Sequence, residues 1–408
     1  MRTIITTAGF CIFLNTSIGQ TVYQKDFAYY WQTVKENFAY FDRQLTDWEK
    51  VKSIYQQYVD TIKNKEDFVH FLEKVNDELY NGHVFLNTNT ASSNRTIPTG
   101  ADIKVSRINN KFVITEIRQW FNADNCGLKT GMEILKFNNI PIEEAVKKLL
   151  PRSISKWNRE IYEYAATMLL AGTHNTKREI TVRLNGQEKI FYPDHTPNKT
   201  EENPATLLEA KVLPGNTGYI IINNSLGNSD LIRSFDAAMD SLRNTTGLIL
   251  DLRETPSGGN TTIARAILGR FIDKELPYQK HNYIMEEKES GIKRTTLELV
   301  SPRGWIYTKP LIILVGYWTG SMGEGMAIGF EGMKRATIVG TKMAGLLGEI
   351  YSFEMPETKI PFSFPCVQLQ HINGKPREEF MPKVIVSDQN KIVVTSKALL
   401  KKMAKNQY

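Results

Sequence analysis

A buried strand that ends in a tight glycine turn is predicted by one segment of the sequence, Leu248-Ile-Leu-Asp-Leu-Arg-Glu-Thr-Pro-Ser-Gly-Gly-Asn260. A short apolar run bounded by proline and glycine is typical of a fully buried strand, and a helix is expected to begin near Thr261. Glycines at such a turn let backbone amides approach a substrate atom closely. A phosphate cradle is the rival interpretation, although neither a Walker A pattern nor a dinucleotide fingerprint is present.

Strands and helices alternate on both sides of this segment, which predicts an α/β core over residues 200–408. The expected strands are 218–222, 247–252, 310–315 and 337–340, and the expected helices are 231–242, 262–271 and 322–330. Short apolar runs over 350–394 indicate hairpins, and a closing helix is expected over 396–404. The polar, proline-flanked stretch 197–204 is the expected boundary before this core.

A serine stands at the second strand-to-helix junction of interest, in Thr319-Gly-Ser-Met-Gly-Glu324. A serine at such an elbow is exposed at the carboxyl edge of the sheet, where the amide of its neighbour stabilises developing negative charge. The alternative is a helix N-cap, a role that serine commonly fills. The segment is not the G-x-S-x-G elbow of α/β-hydrolases, because Thr319 replaces the first glycine.

The region before the core is expected to contain a helical unit over residues 20–96. Aromatic residues recur there at steps of three and four, as on a buried helix face, which favours a core role over a base-stacking surface. Asp47 is the expected N-cap of the second helix, and the third is expected over 66–79, before Asn81-Gly82.

A β-rich domain is expected over residues 97–195, with an inserted helix over 157–170. The segment that begins at Cys126-Gly-Leu-Lys-Thr-Gly resembles the "GLxxGDxIxxxNGxPI" stretch of a PDZ domain, with Met132 where Asp is usual and Asn139 where Gly is usual. PDZ folds capture peptide ends by adding a strand to an exposed edge. A β-rich spacer domain is the alternative, since the peptide-binding loop is not recognisable.

The first nineteen residues have the pattern of a secretory signal: Arg2, an apolar run over 4–14, and small residues Ser17 and Gly19 at the positions that a signal peptidase reads. We therefore expect a secreted or periplasmic protein whose signal peptide, residues 1–19, is removed. A buried first strand is the alternative. No later run reaches the ~18 apolar residues of a membrane helix, so no stable membrane span is expected.

Composition excludes several classes of protein. With 41% hydrophobic and 23% charged residues the chain is globular. The net charge of +7 is spread rather than clustered, which does not indicate nucleic-acid binding. Three cysteines exclude a zinc ribbon of CxxC pairs. Cys11 lies in the signal, and buried free thiols are favoured over a bridge for Cys126 and Cys366.

The segments 248–260 and 319–324 together resemble the signatures "LxLDLRxNxGG" and "TxSxxE" of the carboxy-terminal processing (tail-specific) serine peptidases. Further matches are the "xxVGxxTxG" strand at 337–345 and the "xxPxxxV" ending at 381–386. Ser257 is an extra residue before the double glycine. The resemblance implies a ββα spiral like that of crotonase and ClpP, and it makes Ser321 the nucleophile.

The resemblance also implies the general base. The bacterial processing branch uses a lysine in an "FGKG" run, but Leu346 stands at that position. The branch that resembles the tricorn core uses a histidine in "LxDGHxxL", and Glu78-Leu-Tyr-Asn-Gly-His83-Val-Phe-Leu86 matches it, with Asn81 for Asp. His83 is therefore the expected base, since a neutral imidazole can take the hydroxyl proton and return it to the leaving amine.

The remaining site residues are expectations from the same resemblance. Glu378 is favoured over Glu379 as the acid that orients the imidazole, with a solvated charge pair as the alternative. The oxyanion hole is expected to use the Met322 amide and one from Gly258 or Gly259.

The sequence therefore predicts an exported serine endopeptidase that acts on polypeptides or peptides through an acyl-enzyme. No metal or organic cofactor is expected, because the chain lacks HExxH, CxxC and dinucleotide motifs. The alternative is an inactive peptide- or lipid-binding protein on the same fold, which also occurs in a retinoid-binding protein.

Overall fold

The computed structural model describes residues 20–195 and 206–405. The predicted signal peptide and the predicted boundary at 197–204 lie outside these residues. Three β-sheets organise the described chain, one in the β-rich domain and two in the core. Within the described ranges, no helix has both the length and the apolar character that crossing a membrane requires.

The amino-terminal unit is helical. Its helices are α1 (Val22–Asn37), α2 (Trp48–Val59) and α3 (Lys65–Asn76), followed by the short strand β1 (Phe85–Leu86). Asp47 caps α2 by accepting a hydrogen bond from the Lys50 amide, which confirms the predicted cap. The chain tightens into a 3₁₀ turn over Asp77–Leu79, so α3 itself ends three residues earlier than expected.

The β-rich domain follows. Its elements are β2 (Ile103–Ile108), β3 (Lys111–Ile117), α4 (Asn122–Asn125), β4 (Glu133–Phe137), β5 (Ile140–Pro141), α5 (Ile142–Lys147), α6 (Arg159–Ala171), β6 (Ile180–Leu184) and β7 (Gln187–Phe191). The sheet order is β2-β3-β4-β6-β7, and β5 pairs with β4. Asn138 and Asn139 form the tight turn with φ values of 47° and 63°. Asparagine tolerates this left-handed region, which explains how it replaces the usual glycine.

A mostly parallel sheet forms the centre of the core. Its strands are β8 (Leu208–Leu213), β9 (Thr217–Ile222), β10 (Gly247–Asp251), β13 (Leu311–Val315), β14 (Thr337–Gly340) and β17 (Val384–Ile385), in the order β17-β14-β13-β10-β9-β8. Only β8 runs antiparallel to its neighbour. Every residue of β9, β10 and β13 is buried, as expected for parallel strands covered on both faces.

Helices cover this sheet. They are α7 (Asp230–Ser241), α8 (Thr261–Leu268), α10 (Met322–Gly332) and α11 (Ile392–Lys405). The first three pack on one face, and α11 packs on the other through Ile392 and Leu400. Helix α11 begins at Ile392, four residues before the expected closing helix, and Ile392 is buried against the sheet. Helix α8 ends at Leu268, before Gly269, three residues earlier than expected.

A second core sheet joins the amino-terminal unit to the core. It contains β1 with β11 (Leu276–Asn282), β12 (Thr295–Val300), β15 (Glu349–Glu354) and β16 (Pro361–Gln370), and α9 (Ile284–Ser290) lies between β11 and β12. The β15–β16 hairpin was predicted, but β8, β11 and β12 were not. Cys126 and Cys366 are free thiols as favoured, although Cys126 is only half-buried.

Candidate active site

Ser321 lies on a strained turn between β13 and α10. Its backbone has φ 50° and ψ −108°, a left-handed conformation that residues other than glycine rarely adopt. Holding such a residue there costs about 1–3 kcal/mol, so such strain is found mostly at functional sites. An ordinary N-cap has extended backbone. The conformation of Ser321 is therefore that of a nucleophile elbow, and the residue also stands at the N-cap of α10, where it forms a capping box with Glu324.

The turn after β10 is packed directly against Ser321. A Cβ on Gly258 would lie 2.4 Å from the Ser321 Cβ and 2.9 Å from its Oγ, and Gly258 has φ +63°. A Cβ on Gly259 would lie 2.0 Å from the Leu226 carbonyl oxygen. A side chain at either glycine of the predicted turn would therefore overlap a neighbouring residue. At Gly258 that neighbour is Ser321 itself.

Two amides near Ser321 are free to bind an oxyanion. The Gly258 amide donates to the Thr255 carbonyl at 3.1 Å. The Met322 and Gly259 amides, by contrast, donate to no acceptor in residues 20–195 or 206–405. Met322 N would lie 2.9 Å from a Cβ on Gly258, so it faces the same space as the serine. Of the two glycines proposed as donors, Gly259 therefore has the available amide.

Glu324 fastens the serine turn to the loop between β14 and β15, residues 341–348. Its buried carboxylate accepts hydrogen bonds from Ser321 N at 2.9 Å, Gly345 N at 2.9 Å and Leu346 N at 3.3 Å. Burial raises the pKa of Glu324 to about 7, and the charge of Arg377 and these amides oppose the shift.

Arg377 is a site residue that the sequence analysis missed. Its buried guanidinium donates to the carbonyls of Ser321 at 3.3 Å and Leu346 at 2.9 Å, and it lies 4.0 Å from the Glu324 carboxylate. The local sequence offered only one signal, the position of Arg377 beside the favoured Glu378. The ion pair therefore holds the backbone on both sides of the site.

His83 is held by the same loop. Its Nδ1 is hydrogen-bonded to the Leu347 carbonyl oxygen. The Asn81 Oδ1 accepts from the amides of His83 at 3.0 Å and Leu347 at 3.2 Å. Because a carbonyl oxygen can only accept, Nδ1 of the neutral ring carries the proton and Nε2 keeps its lone pair. This tautomer is the one that a general base needs.

Leu346 connects the two segments that carry the predicted nucleophile and base. Its side chain packs between Gly82 and Gly320, the neighbours of His83 and Ser321 in the chain. Across the described ranges no hydrogen bond joins Ser321 Oγ to the His83 ring, and catalytic hydrogen bonds often tighten only when substrate is bound. An apolar, buried leucine thus occupies the position where the lysine-dependent branch has its base.

The electrostatics keep His83 neutral. Burial lowers the pKa of the imidazole to about 4, and the positive charge of Arg377 adds to this shift. The carbonyls of Leu347 and Gly348 oppose it in part. At neutral pH the ring is therefore uncharged and able to accept a proton.

Glu378 is not brought to His83. Its Oε1 accepts a hydrogen bond from Arg43 at 3.0 Å, its Oε2 is buried without a partner among the residues described, and burial raises its pKa. Glu379 is exposed. The group that contacts the imidazole Nδ1 is instead the Leu347 carbonyl, so the structure gives Glu378 no orienting role in this conformation.

Three family models match the chain. They are the tricorn protease C1 domain over residues 20–76, a PDZ domain over 101–190 and peptidase family S41 over 216–360. Together these three matches support a tail-specific peptidase of family S41. This S41 peptidase is a serine-type peptidase, and its β-rich domain is a PDZ domain, as the sequence predicted.

Solved structures share the fold of this S41 peptidase. Mature CPAF complexed with lactacystin has a TM-score of 0.62 at 15% identity, over 94% of this chain and 97% of that one. The photosystem II D1 C-terminal processing protease has a TM-score of 0.57 at 14% identity, over 91% and 97% of the two chains. The likeness spans the helical unit, the PDZ domain and the core, which confirms the predicted fold class.

Replacing Gly258 with alanine should abolish the reactivity of the site serine. The added Cβ would overlap Ser321 and displace its Oγ, so labelling of the enzyme by a fluorophosphonate probe should fall at least about 10²-fold, the cost typical of a disturbed oxyanion site. Labelling rates measured by gel fluorescence provide the test.

Gly131→Ala is the matched control, since Gly131 also has a positive φ, +89°, but nothing lies within 4 Å of its added Cβ. Its labelling should stay within about twofold of wild type, with a stability loss of about 1 kcal/mol. Equal labelling of Gly258→Ala and wild type would contradict the close packing described here.

Proposed function

We propose that this S41 peptidase is an exported endopeptidase that cleaves polypeptides through an acyl-enzyme at Ser321, with His83 as the general base. The observation that carries the proposal is the strained Ser321 turn, packed against Gly258. A non-catalytic cap has no need of this backbone conformation, whereas a nucleophile gains exposure and a neighbouring free amide from it.

In the proposed reaction, Ser321 Oγ attacks the scissile carbonyl carbon while His83 Nε2 takes the hydroxyl proton. The amides of Met322 and Gly259 stabilise the oxyanion, and each such donor contributes about 10²–10³ in rate. The imidazolium then protonates the leaving amine, which leaves an ester on Ser321. Water then attacks the ester as it gives a proton to the same nitrogen, and the imidazolium returns that proton to Ser321 Oγ as the acid product leaves.

The Glu324–Arg377 pair supports this chemistry without touching the substrate. Glu324 holds the Ser321 amide, and Arg377 holds the Ser321 carbonyl, so the peptide groups before and after the strained residue are both fixed. Arg377 also disfavours a charged imidazole at His83. We infer that the pair positions the nucleophile, whereas the charge of Arg377 makes His83 a weaker base.

The proposal of export rests on the pattern of residues 1–19. The predicted cleavage after Gly19 leaves the first helix complete, because Thr21 and Gln24 form a reciprocal capping box at its start. A mature chain that begins at Gln20 therefore retains every residue that α1 needs.

Ser321→Ala should eliminate labelling by a fluorophosphonate, and His83→Ala should lower kcat/KM for a fluorogenic peptide about 10²–10⁴-fold, the usual contribution of a general base. Initial rates on purified, folded variants provide the measurement. An absence of labelling in folded wild type would instead favour the peptide- or lipid-binding alternative.

His174→Ala is the control for this experiment, because His174 is exposed and its ring is hydrogen-bonded only to Asn89 among the described residues. It should retain wild-type activity within about twofold, as expected of a surface substitution. Full activity in His83→Ala would remove His83 from the mechanism.

The acid limb of the pH profile should depend on the charge at position 377. The neutral imidazole is the active form, so the part of the acid limb that His83 sets should lie near pH 4, the pKa expected of His83. Protonation of Glu324, whose pKa burial raises to about 7, should act at higher pH and is read separately from Glu324→Gln. A cation disfavours the imidazolium, so Arg377→Met should raise the pKa of His83 and move its part of the limb towards an ordinary histidine value of about 6.5.

Arg377→Lys keeps the charge and should keep the limb near that of wild type, even if the rate falls. Circular dichroism at each pH separates titration from acid unfolding. An unchanged limb in folded Arg377→Met would show that Arg377 does not act on the base.

Expression with residues 1–19 intact should yield exported protein whose amino-terminal sequence begins at Gln20 or within a few residues of it, as a signal of this form requires. Edman sequencing or intact mass provides the measurement. Protein that retains Met1 would overturn the proposal of export.

A further inference from the structure

A buried histidine of the second core sheet is bound by two carboxylates. His281 lies on β11, and its side chain is mostly buried. Its Nε2 lies 3.2 Å from Glu298 Oε2 on β12, and its Nδ1 lies 3.0 Å from Glu349 Oε2 on β15. The ring therefore joins three strands of this sheet through hydrogen bonds between side chains.

The geometry calls for a protonated ring. A neutral imidazole carries one N–H and can donate to only one of the two carboxylates, whereas the imidazolium donates to both. Burial by itself lowers the pKa of His281, but the hydrogen bonds and negative charges of Glu298 and Glu349 outweigh it and raise that pKa to about 9. At neutral pH the residue is therefore a buried cation between two anions.

The surroundings of the ring hold few other charges. Arg265 on α8 lies 3.9 Å from the Glu298 carboxylate and shares it with the histidine. The neutral side-chain amide of Gln279, on the same strand, is 3.3 Å from His281 Nε2. The other two elements packed on β11 place uncharged residues at this point, Leu369 of β16 and Gly325 of α10. Among the described residues, Glu298 and Glu349 are the only carboxylates within 4.0 Å of the ring.

Glu298 connects the histidine to the glycine turn that carries the proposed oxyanion donor. Its Oε1 accepts a hydrogen bond from the hydroxyl of Thr261, the first residue of α8. The same hydroxyl is hydrogen-bonded to Tyr278 OH at 2.7 Å. Gly259, whose amide is the proposed donor, lies two residues before Thr261 in the chain. The anchor at Thr261 therefore restricts the movement of that amide.

Glu349 connects the same ring to the 341–348 loop. It is the first residue after the loop and begins β15. The carbonyl of the preceding Gly348 accepts from Arg377 at 3.3 Å, and the carbonyl of Leu347 is hydrogen-bonded to His83 Nδ1. One imidazolium thus links the segment that carries an oxyanion donor to the loop that orients the base.

We propose that His281, as an imidazolium, is a positioning residue of this peptidase, which acts through Glu298 and Glu349 to hold the glycine turn and the 341–348 loop at a fixed separation. Loss of the proton leaves one buried carboxylate without a donor from the ring, which is costly. The proposal rests on the proposed function, because it concerns how the same site is kept in its reactive geometry.

The first test is the alkaline limb of the pH profile for a fluorogenic peptide. Wild type should lose kcat as the pH rises through about 9, because the imidazolium is present below that pH and is lost above it. His281→Gln keeps a neutral donor without the charge, so its kcat should be at least about tenfold lower at neutral pH, with little change in KM, and should lack this limb. A wild-type kcat that stays constant to pH 10, or an unchanged limb in folded His281→Gln, would overturn the proposal.

Glu349→Gln is a second variant, which keeps an acceptor for the ring but removes one negative charge. The imidazolium is then less favoured, so the alkaline limb should move to lower pH than in wild type. His371→Gln is the matched control, since His371 is also buried but is paired with Glu331 alone, at the opposite end of α10 from Ser321. Its alkaline limb should match that of wild type, and circular dichroism at each pH separates titration from unfolding. A limb that Glu349→Gln does not move would contradict the proposal.

Hydrogen exchange measured by mass spectrometry keeps this result separate from failure of the proposed function. In a Ser321→Ala background, which lacks the proposed nucleophile, His281→Gln should increase amide exchange over residues 255–262 and 341–349 at least about tenfold at neutral pH, and His371→Gln should not. Such an increase, together with a wild type that neither cleaves nor labels, would overturn the proposed catalysis and support the positioning role. Unchanged exchange in both segments would overturn the positioning role.

Discussion

The buried ion pair between Glu324 and Arg377 is the interaction on which the active site depends. The carboxylate receives three backbone amides, and the guanidinium donates to the carbonyls of the nucleophile turn and the 341–348 loop. Because both partners are almost fully buried, removing either one leaves an uncompensated charge, a defect that typically costs about 3–5 kcal/mol. Such a pair is better suited to fixing geometry than to adding stability.

The 341–348 loop is hydrogen-bonded to the segments that carry the serine, the histidine and the arginine of the site. It is hydrogen-bonded to Glu324 through Gly345, to Asn81 through Leu347 and to Arg377 through Leu346. The serine and histidine come from parts of the chain far apart in sequence, and the loop sets the distance between them. The second core sheet adds to this arrangement, because β1, which follows His83, pairs with β16 beside the loop.

Much of this arrangement is local in sequence, and the local part was predictable. The Gly258 turn and the Ser321 elbow each occupy a few consecutive residues whose type is dictated by backbone conformation and close approach. Arg377 was not predictable, because its role depends on carbonyls brought to it by tertiary packing. The partner of Glu378 is Arg43, more than three hundred residues away. The residues of strand β12 do not alternate clearly between apolar and polar, and most of them are exposed. Its pairing could therefore not be predicted from the sequence either.

The order of these parts along the chain has a consequence for biosynthesis. The histidine is made before the serine, and the arginine that holds both sides of the site is made after both. A growing chain therefore carries Ser321 for some time without the guanidinium that fixes its peptide unit, and without β16, the strand that anchors the histidine segment. The nucleophile turn is therefore fully supported only after Arg377 has been made and has packed against it.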